Sequence, residues 1–173
     1  MGSGKIKFFV FILHFFIGFF LVVGKEYGGV LEMPGSEIVQ GIFSNSKFEK
    51  DSIEFSCSTN FLDISLYDQP ARIYPVFINL VNNSRYWVKE TKEERRIIRL
   101  DVLDGLIYVS DNGPGVDPDD VSELFTIFFS KKQRGGRGVG LYLCKQNLAV
   151  SGHSIFYETR TEKKILNGAN FVI

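Results

Sequence analysis

The sequence lacks the features that mark disulfide-stabilised and nucleic-acid-binding proteins. Only two of its 173 residues are cysteines, and Cys57 and Cys144 form no C-x-x-C pair. This scarcity favours a reduced, cytosolic compartment over a disulfide scaffold. The 20 basic and 20 acidic residues cancel, so the net charge does not steer the chain toward nucleic acid, and no nucleic-acid partner is expected. The length suits one domain, and no internal repeat or low-complexity linker divides it.

One long apolar run stands apart from this balanced composition. Residues 8–23 (FFVFILHFFIGFFLVV) carry no charge, and as a helix they would span about 24 Å of a hydrocarbon core of roughly 30 Å. A membrane helix, a signal peptide and a buried core helix all remain open, because Lys5 and Lys7 precede the run but no clear cleavage site comes after it. We treat residues 1–30 as this apolar segment with its linker, and residues 31–173 as the domain.

Hydrophobic periodicity predicts an α+β fold. Helices are expected over 37–43, from Pro70 to about residue 84, over 118–125 and over 138–150, the last stopped by Gly152. Strands are expected over 52–57, 62–66, 97–102, 106–109, 154–159 and 169–173, with loops over 28–35 and 126–137. Helices would then cover one face of a mixed, mostly antiparallel sheet.

Two local patterns make this prediction specific. Asp104-Gly105 between two strands is a strong hairpin signal. An apolar stripe at helical spacing predicts that the helix after Pro70 packs on the sheet; its members are Ile73, Val76, Phe77, Leu80, Val81 and Ser84. Pro75 is expected in the first turn of this helix or at a kink.

Amide side chains lie opposite that stripe. Asn79, Asn82 and Asn83 are three and four residues apart, so they share a face of the helix. An amide oxygen is a neutral, hard ligand suited to Mg²⁺, which prefers oxygen and keeps several waters. A solvated polar face is the alternative interpretation.

An acidic turn with glycines comes after the strand that ends near Val109. In Asp111-Asn-Gly-Pro-Gly115 the glycines would let the backbone approach a ligand closely. The Asp111 carboxylate could accept a hydrogen bond from an exocyclic amine, such as that of adenine. An ordinary Asx turn is the alternative.

A glycine-rich loop, residues 135–141 (GGRGVGL), opens the last long helix. Exposed backbone N–H groups and the helix dipole would favour a phosphate there. Lys131, Lys132, Arg134 and Arg137 lie just before or within the loop. They would either clamp a polyphosphate or form a solvated charge run.

Together these segments resemble the ATP-binding domain of the GHKL superfamily, which contains sensor histidine kinases, gyrase and MutL ATPases and a heat-shock chaperone ATPase. Residues 78–84 (INLVNNS) resemble its Asn box, and 111–115 (DNGPG) and 136–141 (GRGVGL) its glycine boxes. Residues 123–132 (ELFTIFFSKK) are similar to its phenylalanine box, and 168–171 (GANF) to its final strand. The resemblance implies a two-layer α/β sandwich, the Bergerat-type fold.

The resemblance also implies roles for individual residues. Asn83 would hold Mg²⁺, and Asp111 would bind the adenine amine with the help of a water. The first glycine turn would lie beneath the base, and the second would form the hinge of an ATP lid and contact phosphates. The implied nucleotide-binding set adds Gly113, Gly115, Phe128, Gly136, Gly138, Val139, Gly140 and Leu141. Phe125 and Phe129 would anchor the lid with Phe128, and Lys131 or Arg137 would neutralise phosphate charge.

Asn79 indicates which reaction to expect. Four residues before the Mg²⁺ ligand, hydrolytic members usually carry Glu as general base. This chain has Asn79 there, and in this respect it resembles the histidine kinases. An amide cannot take a proton from water, so efficient hydrolysis lacks its base. We therefore expect a protein-histidine kinase domain that uses ATP and Mg²⁺, with Asn79, Lys131 and Arg137 in catalytic positions. An ATPase conformational module and an ATP-binding module without phosphotransfer are the alternatives.

Partners and location are expectations from the same resemblance. Neither His14 nor His153 has the helical, acidic context of a phosphoacceptor, so the acceptor is expected on a partner or a missing segment. That segment would be a histidine-bearing dimerisation domain in a two-component, response-regulator pathway. The domain is expected in the cytoplasm, where ATP is available, and the run 8–23 would anchor it if that run is a membrane helix. The basic residues before that run would instead export the remainder of the chain, which conflicts with this location.

Overall fold

The computed structural model describes residues 29–42, 45–91, 93–133 and 136–173. The apolar run 8–23 with His14, and Arg134 and Gly135 of the glycine-rich loop, lie outside these ranges. Within the ranges, none of the helices combines the length and the apolar character needed to cross a membrane.

Within the described residues, a five-stranded mixed sheet carries the fold. In order across the sheet its strands are β2 (Ile53–Cys57), β4 (Arg96–Leu103), β5 (Leu106–Asp111), β7 (Asn170–Val172) and β6 (Phe156–Tyr157). β2 runs parallel to β4, and the other neighbours are antiparallel. A separate antiparallel pair joins β1 (Leu31–Pro34) to β3 (Ser65–Asp68). The predicted mixed, mostly antiparallel sheet is confirmed.

Helices pack against this sheet and each other. The described helices are α1 (Gly35–Ile42), α2 (Asn45–Lys50), α3 (Thr59–Asp63), α4 (Pro70–Trp87) and α5 (Gly140–Val150), with 3₁₀ turns at Pro118–Glu123 and Thr161–Lys163. α4 contacts β4, β5 and α5, and α3 contacts β4. The predicted α+β class is confirmed.

The apolar stripe predicted on α4 forms the centre of the core. All six of its residues are buried, and its apolar members share one cluster with Ile98, Leu100 and Val109 of the sheet. Pro75 lies inside α4 rather than in its first turn. Its carbonyl oxygen accepts a hydrogen bond from Nδ2 of Asn79 at 2.9 Å. Because the stripe is buried in the core, the amide side chains lie on the opposite face of α4.

The predicted turns and caps also form. Asp104 and Gly105 both have positive φ, 53° and 77°, as a two-residue hairpin turn between β4 and β5 requires. The Asp117 carboxylate accepts a hydrogen bond from the Asp119 N–H and so caps the helix that begins at Pro118. This helix is 3₁₀ rather than α. Gly152, at φ 76°, comes just after the end of α5. α5 itself begins at Gly140, two residues later than expected.

Other segments also differ from the prediction, among them α2, where no helix was expected. The expected loop at 28–35 contains β1, because residues 31–34 pair with β3. The expected strand at 62–66 is replaced by α3 and the start of β3. The hydroxyl of Ser58 caps α3 by accepting the Phe61 N–H at 3.1 Å, and the Phe61 ring is buried edge-on against Phe77. A short apolar run does not by itself distinguish a helix from a strand.

Candidate functional site

A cavity of about 430 Å³ lies where α4, the end of β5 and the start of α5 meet. This volume falls within the usual range for small-molecule sites. Each of the three motif segments contributes to the wall. The predicted site residues that line it are Asn79, Asn83, Asp111, Gly115, Lys131, Gly136, Arg137, Gly138, Val139, Gly140 and Leu141. The structure therefore brings together segments that are far apart in the chain.

The amides of α4 form one side of the cavity. Asn79 donates through Nδ2 to its own helix, and its Oδ1 faces the start of α5, where a Cβ on Gly140 would lie 3.2 Å away. Oδ1 of Asn83 accepts a hydrogen bond from Nζ of Lys132 at 2.6 Å. Both amides thus present oxygen toward the loop and helix opposite.

Asp111 lies at the buried end of the cavity and is 1% exposed. Its Oδ1 accepts the N–H groups of Gly113 at 2.9 Å and Ala169 at 3.2 Å. Among the described residues, neither its Oδ2 nor Oγ of the adjacent Ser84 makes a hydrogen bond of normal geometry. An unpaired buried carboxylate oxygen is costly, and burial raises the pKa of Asp111 despite the neighbouring Ser84, Gly113 and Ala169 donors. Oδ2, close to the Ser84 hydroxyl, therefore has lone-pair capacity left to accept a ligand N–H.

Close backbone packing shapes the turn beneath Asp111. Gly168 donates to the Asp111 carbonyl at 3.0 Å, and a Cβ on Gly168 would lie 2.6 Å from Gly113 N. Gly113 itself does not line the cavity. Its N–H donates to Oδ1 of Asp111 and so helps to position that carboxylate. Gly168 belongs to a recognised motif, but its sequence context gave no reason to place it against the first glycine turn.

The phenylalanine segment reaches the site mainly through its backbone and Phe129. Phe129 lines the cavity, and Phe125 packs edge-on against Phe171 at 6.3 Å. The Phe128 ring is 74% exposed and lies outside the cavity wall. Phe128 instead contributes its N–H, which donates to the Gly138 carbonyl at 2.8 Å. The structure gives its ring no contact with the cavity in which nucleotide binding was expected.

Three cations of the basic run have different environments. Lys131 is paired with Asp120 at 3.0 Å, and Arg137 is exposed at the cavity wall. Lys132 reaches α4, where it contacts Asn83 and lies 4.8 Å above the centre of the Tyr86 ring. Burial lowers the pKa of Lys132. The sequence pointed to this charge run as a whole, and only the loop path decides which lysine turns inward.

Ser84 and Trp87 are among the wall residues that were given no site role from the sequence. Trp87 lies four residues after Asn83 on α4, so helical spacing alone could have placed it on the amide face. Ser84 was grouped with the buried stripe, where it also belongs.

The donor set at the amides suits a magnesium ion that takes most of its ligands from elsewhere. Within the described ranges, no group of three or more His, Cys, Asp or Glu residues could hold a metal ion. Magnesium commonly keeps several waters and binds protein through few side chains, completing its shell with substrate phosphates. The amide oxygens of Asn83 and Asn79 fit that kind of site.

Residues 68–173 match the family model described as histidine kinase-, DNA gyrase B-, and HSP90-like ATPase. The matched span contains all three motif segments and the whole cavity wall. The chain belongs to this family. The GHKL resemblance drawn from its motifs is confirmed, and the chain contains a histidine kinase-like ATPase catalytic domain.

Curated relatives within the family are sensor proteins. The chain is 31% identical over 110 residues to sensor protein ChvG of Rhizobium meliloti, covering 59% of this chain and 19% of that protein. It is 27% identical over 107 residues to sensor protein SrrB of Staphylococcus aureus, covering 59% and 18%. The chain thus spans about a fifth of the length of these relatives.

Solved structures show the same fold. The catalytic domain of histidine kinase ThkA, in a nucleotide-free form, is 26% identical with a TM-score of 0.63, covering 83% of this chain and 92% of that one. The mycobacterial sensor histidine kinase MprB, at 18% identity, has a TM-score of 0.60 over 83% and 93% of the two chains. The described residues therefore share the fold of these histidine kinase catalytic domains.

Proposed function

We propose that the chain binds Mg-ATP in the cavity between α4 and α5 and passes the γ-phosphate to a histidine. The observation that carries this proposal is the buried Oδ2 of Asp111, which lacks a hydrogen-bond partner among the described residues and lies in the cavity wall. An adenine amino group supplies the N–H donor that this oxygen lacks. The apolar surfaces of Val116, Leu124 and Phe171 in the same wall suit the rest of the base.

The phosphates would lie at the start of α5. No side chain caps this helix at Val139, so its first N–H groups are free to meet an anion, and the helix dipole favours negative charge there. Gly138 and Gly140 keep side chains away from that approach. Lys132 and Arg137 would neutralise phosphate charge; Lys131 is less suited because Asp120 already holds it.

A magnesium ion would be held by Oδ1 of Asn83, with Asn79 nearby. When bound, the ion would neutralise part of the phosphate charge. The chain itself positions the nucleotide: Asp111 fixes the base, and the N-terminus of α5 fixes the phosphates. Catalysis would rest on this positioning and on charge neutralisation.

Asn79 favours transfer to histidine over hydrolysis. Its amide cannot accept a proton from water, and its Nδ2 is already committed to the Pro75 carbonyl. A neutral imidazole is already a nucleophile. The lone pair of one ring nitrogen forms the N–P bond as the bond from the γ-phosphorus to the bridging oxygen breaks and ADP leaves, and the other ring nitrogen then releases its proton to solvent. The sensor-protein relatives support a two-component role in the cytoplasm, with a phosphorylated histidine passing its group to a response regulator.

The proposal is tested by incubating the full chain with Mg²⁺, labelled ATP and a helical hairpin that carries a candidate histidine. We expect acid-labile, base-stable label on the hairpin, and its loss with Asn83→Ala. Label absent from every hairpin, together with steady phosphate release by the chain alone, would support an ATPase module instead. Saturable nucleotide binding with neither product would support a binding module.

A further inference from the structure

Lys132 spans the gap between the loop after the phenylalanine segment and helix α4. Its ammonium lies 2.6 Å from Oδ1 of Asn83 and 4.8 Å above the centre of the Tyr86 ring. Asn83 and Tyr86 are three residues apart on α4, so they form one platform for the ammonium. The amide oxygen proposed to bind magnesium therefore already has a cation on it.

We propose that Lys132 is a resident cation of the nucleotide site, positioned by Tyr86, and that it competes with the divalent ion for Asn83. This inference rests on the proposed function, because it concerns the same cavity. It adds a positioning residue, Tyr86, and an antagonism between the lysine and the metal.

The antagonism results from distance and charge. A magnesium ion on Oδ1 of Asn83 would stand about 2.1 Å from that oxygen, which leaves it under about 5 Å from the ammonium as now placed. Two cations this close repel each other strongly in a partly buried site. The ammonium must therefore leave Asn83 when the metal binds, and the phosphate oxygens are the partners it would take.

The same arrangement makes nucleotide binding less dependent on the metal. With the divalent ion absent, Lys132 stays in the cavity and supplies positive charge to the triphosphate. With the ion present, the lysine has to be displaced first, which offsets part of the stabilisation by the metal. Removing the lysine charge should therefore increase the factor by which magnesium tightens nucleotide binding.

Tyr86 holds the ammonium by its ring face. Cation–π attraction requires the aromatic ring but not the hydroxyl. Phe at this position should therefore keep Lys132 in place, whereas Leu should release it into solvent. The Tyr86 side chain does not line the cavity, so it acts through Lys132.

The test measures the dissociation constant of a nonhydrolysable ATP analogue with Mg²⁺ and with chelator, and takes the ratio as the magnesium effect. We expect Lys132→Gln to raise this ratio by at least about fivefold, the lower end of typical coupling between two sites. Lys145→Gln, an exposed lysine on α5 outside the cavity wall, is the matched control and should leave it unchanged. A ratio in Lys132→Gln equal to or below that of the unmodified chain would overturn the proposal.

Tyr86 variants give an independent reading. Tyr86→Leu should raise the magnesium effect as Lys132→Gln does, and Tyr86→Phe should not, while thermal melting confirms that each variant is folded. A purely structural role for Tyr86 would lower the melting temperature without changing the ratio, and that result would remove Tyr86 from the proposal. If the unmodified chain binds no nucleotide, the proposed function fails; if it binds but the ratios do not move, only this inference fails.

Discussion

Phe128 and Gly138 close the base of the loop over the cavity. The Phe128 N–H donates to the Gly138 carbonyl at 2.8 Å, and both residues have positive φ, 68° and 66°. The residues between them include Lys131, Lys132 and Arg137. This backbone contact therefore helps to position the cations relative to α4, and it leaves no room for a side chain at 138.

Gly138→Ala should destabilise the protein and weaken nucleotide binding. The new Cβ would lie 2.6 Å from Cα of Phe128 and closer still to its carbonyl group, and alanine is strained at this φ. Steric conflict with backbone adds to conformational strain, so we expect a loss of more than about 2 kcal/mol in the free energy of unfolding. Urea unfolding measures it.

Gly152→Ala is the matched control for that substitution. Gly152 has φ 76°, but nothing lies within 4 Å of the position its Cβ would take. The free energy of unfolding of Gly152→Ala should fall only by the cost of placing alanine in a left-handed conformation, about 1 kcal/mol. Equal losses in the two variants would show that contact with Phe128 does not matter.

Asp111→Asn should keep the fold and weaken binding of an ATP analogue by about 1 to 3 kcal/mol. The amide oxygen can still accept the Gly113 and Ala169 N–H groups, but an NH₂ group replaces the free Oδ2. A donor then faces the adenine amine, which is also a donor. Calorimetric titration measures the change in affinity.

Asp104→Asn is the control for a charge-neutralising change away from the cavity. Asp104 lies in the hairpin turn at φ 53°, a conformation that asparagine also accepts. The affinity of Asp104→Asn for the ATP analogue should equal that of the unmodified chain. An affinity in Asp111→Asn as high as in this control would take Asp111 out of the nucleotide site.

Glu158→Gln should reduce the loss of stability that accompanies a fall in pH. Two Arg160 nitrogens donate to the Glu158 carboxylate at 2.8 and 2.7 Å and hold its pKa at about 2, below the ordinary 4.5. Because the folded-state pKa is the lower one, this stabilisation is complete above about pH 4.5 and is lost as the pH falls toward 2. The variant should be less stable at neutral pH and should lose less between those limits.

Urea unfolding across a pH series checks this expectation. Glu162→Gln changes an exposed carboxylate on the neighbouring turn and should retain the acid dependence of the unmodified chain. The ion pair would be unimportant to stability if Glu158→Gln had the same profile as Glu162→Gln.

The fold was predictable where a pattern is long. The stripe on α4 repeats over several turns, so its period is unambiguous, and Asp104-Gly105 fixes the hairpin. The segment around Phe61 is too short for a period to be read, and the Ser58 cap and the contact with Phe77 decide that it is helical. Strand β1 forms only because β3 lies beside it, which local sequence does not reveal.

The candidate site was predictable where residue type carries the information. Asparagines on one helix face, an aspartate in a glycine turn and glycines before a helix are visible in the chain itself. The orientation of Phe128 was not, since nothing in the sequence indicates a phenylalanine at φ 68°. Nor could Lys132 be chosen over Lys131, because neighbouring side chains point in different directions and Asp120 selects one of them.

The central claim is that Asn83, Asp111 and the glycines around Gly138 share one nucleotide. Calorimetric titration of a nonhydrolysable ATP analogue into the full chain, with and without Mg²⁺, tests it most directly. We predict one molecule bound per chain, tightened by Mg²⁺ in the unmodified protein but not in Asn83→Ala. No saturable heat up to about 1 mM, the weak end of usual substrate affinities, would contradict the account, as would an unchanged magnesium effect in Asn83→Ala.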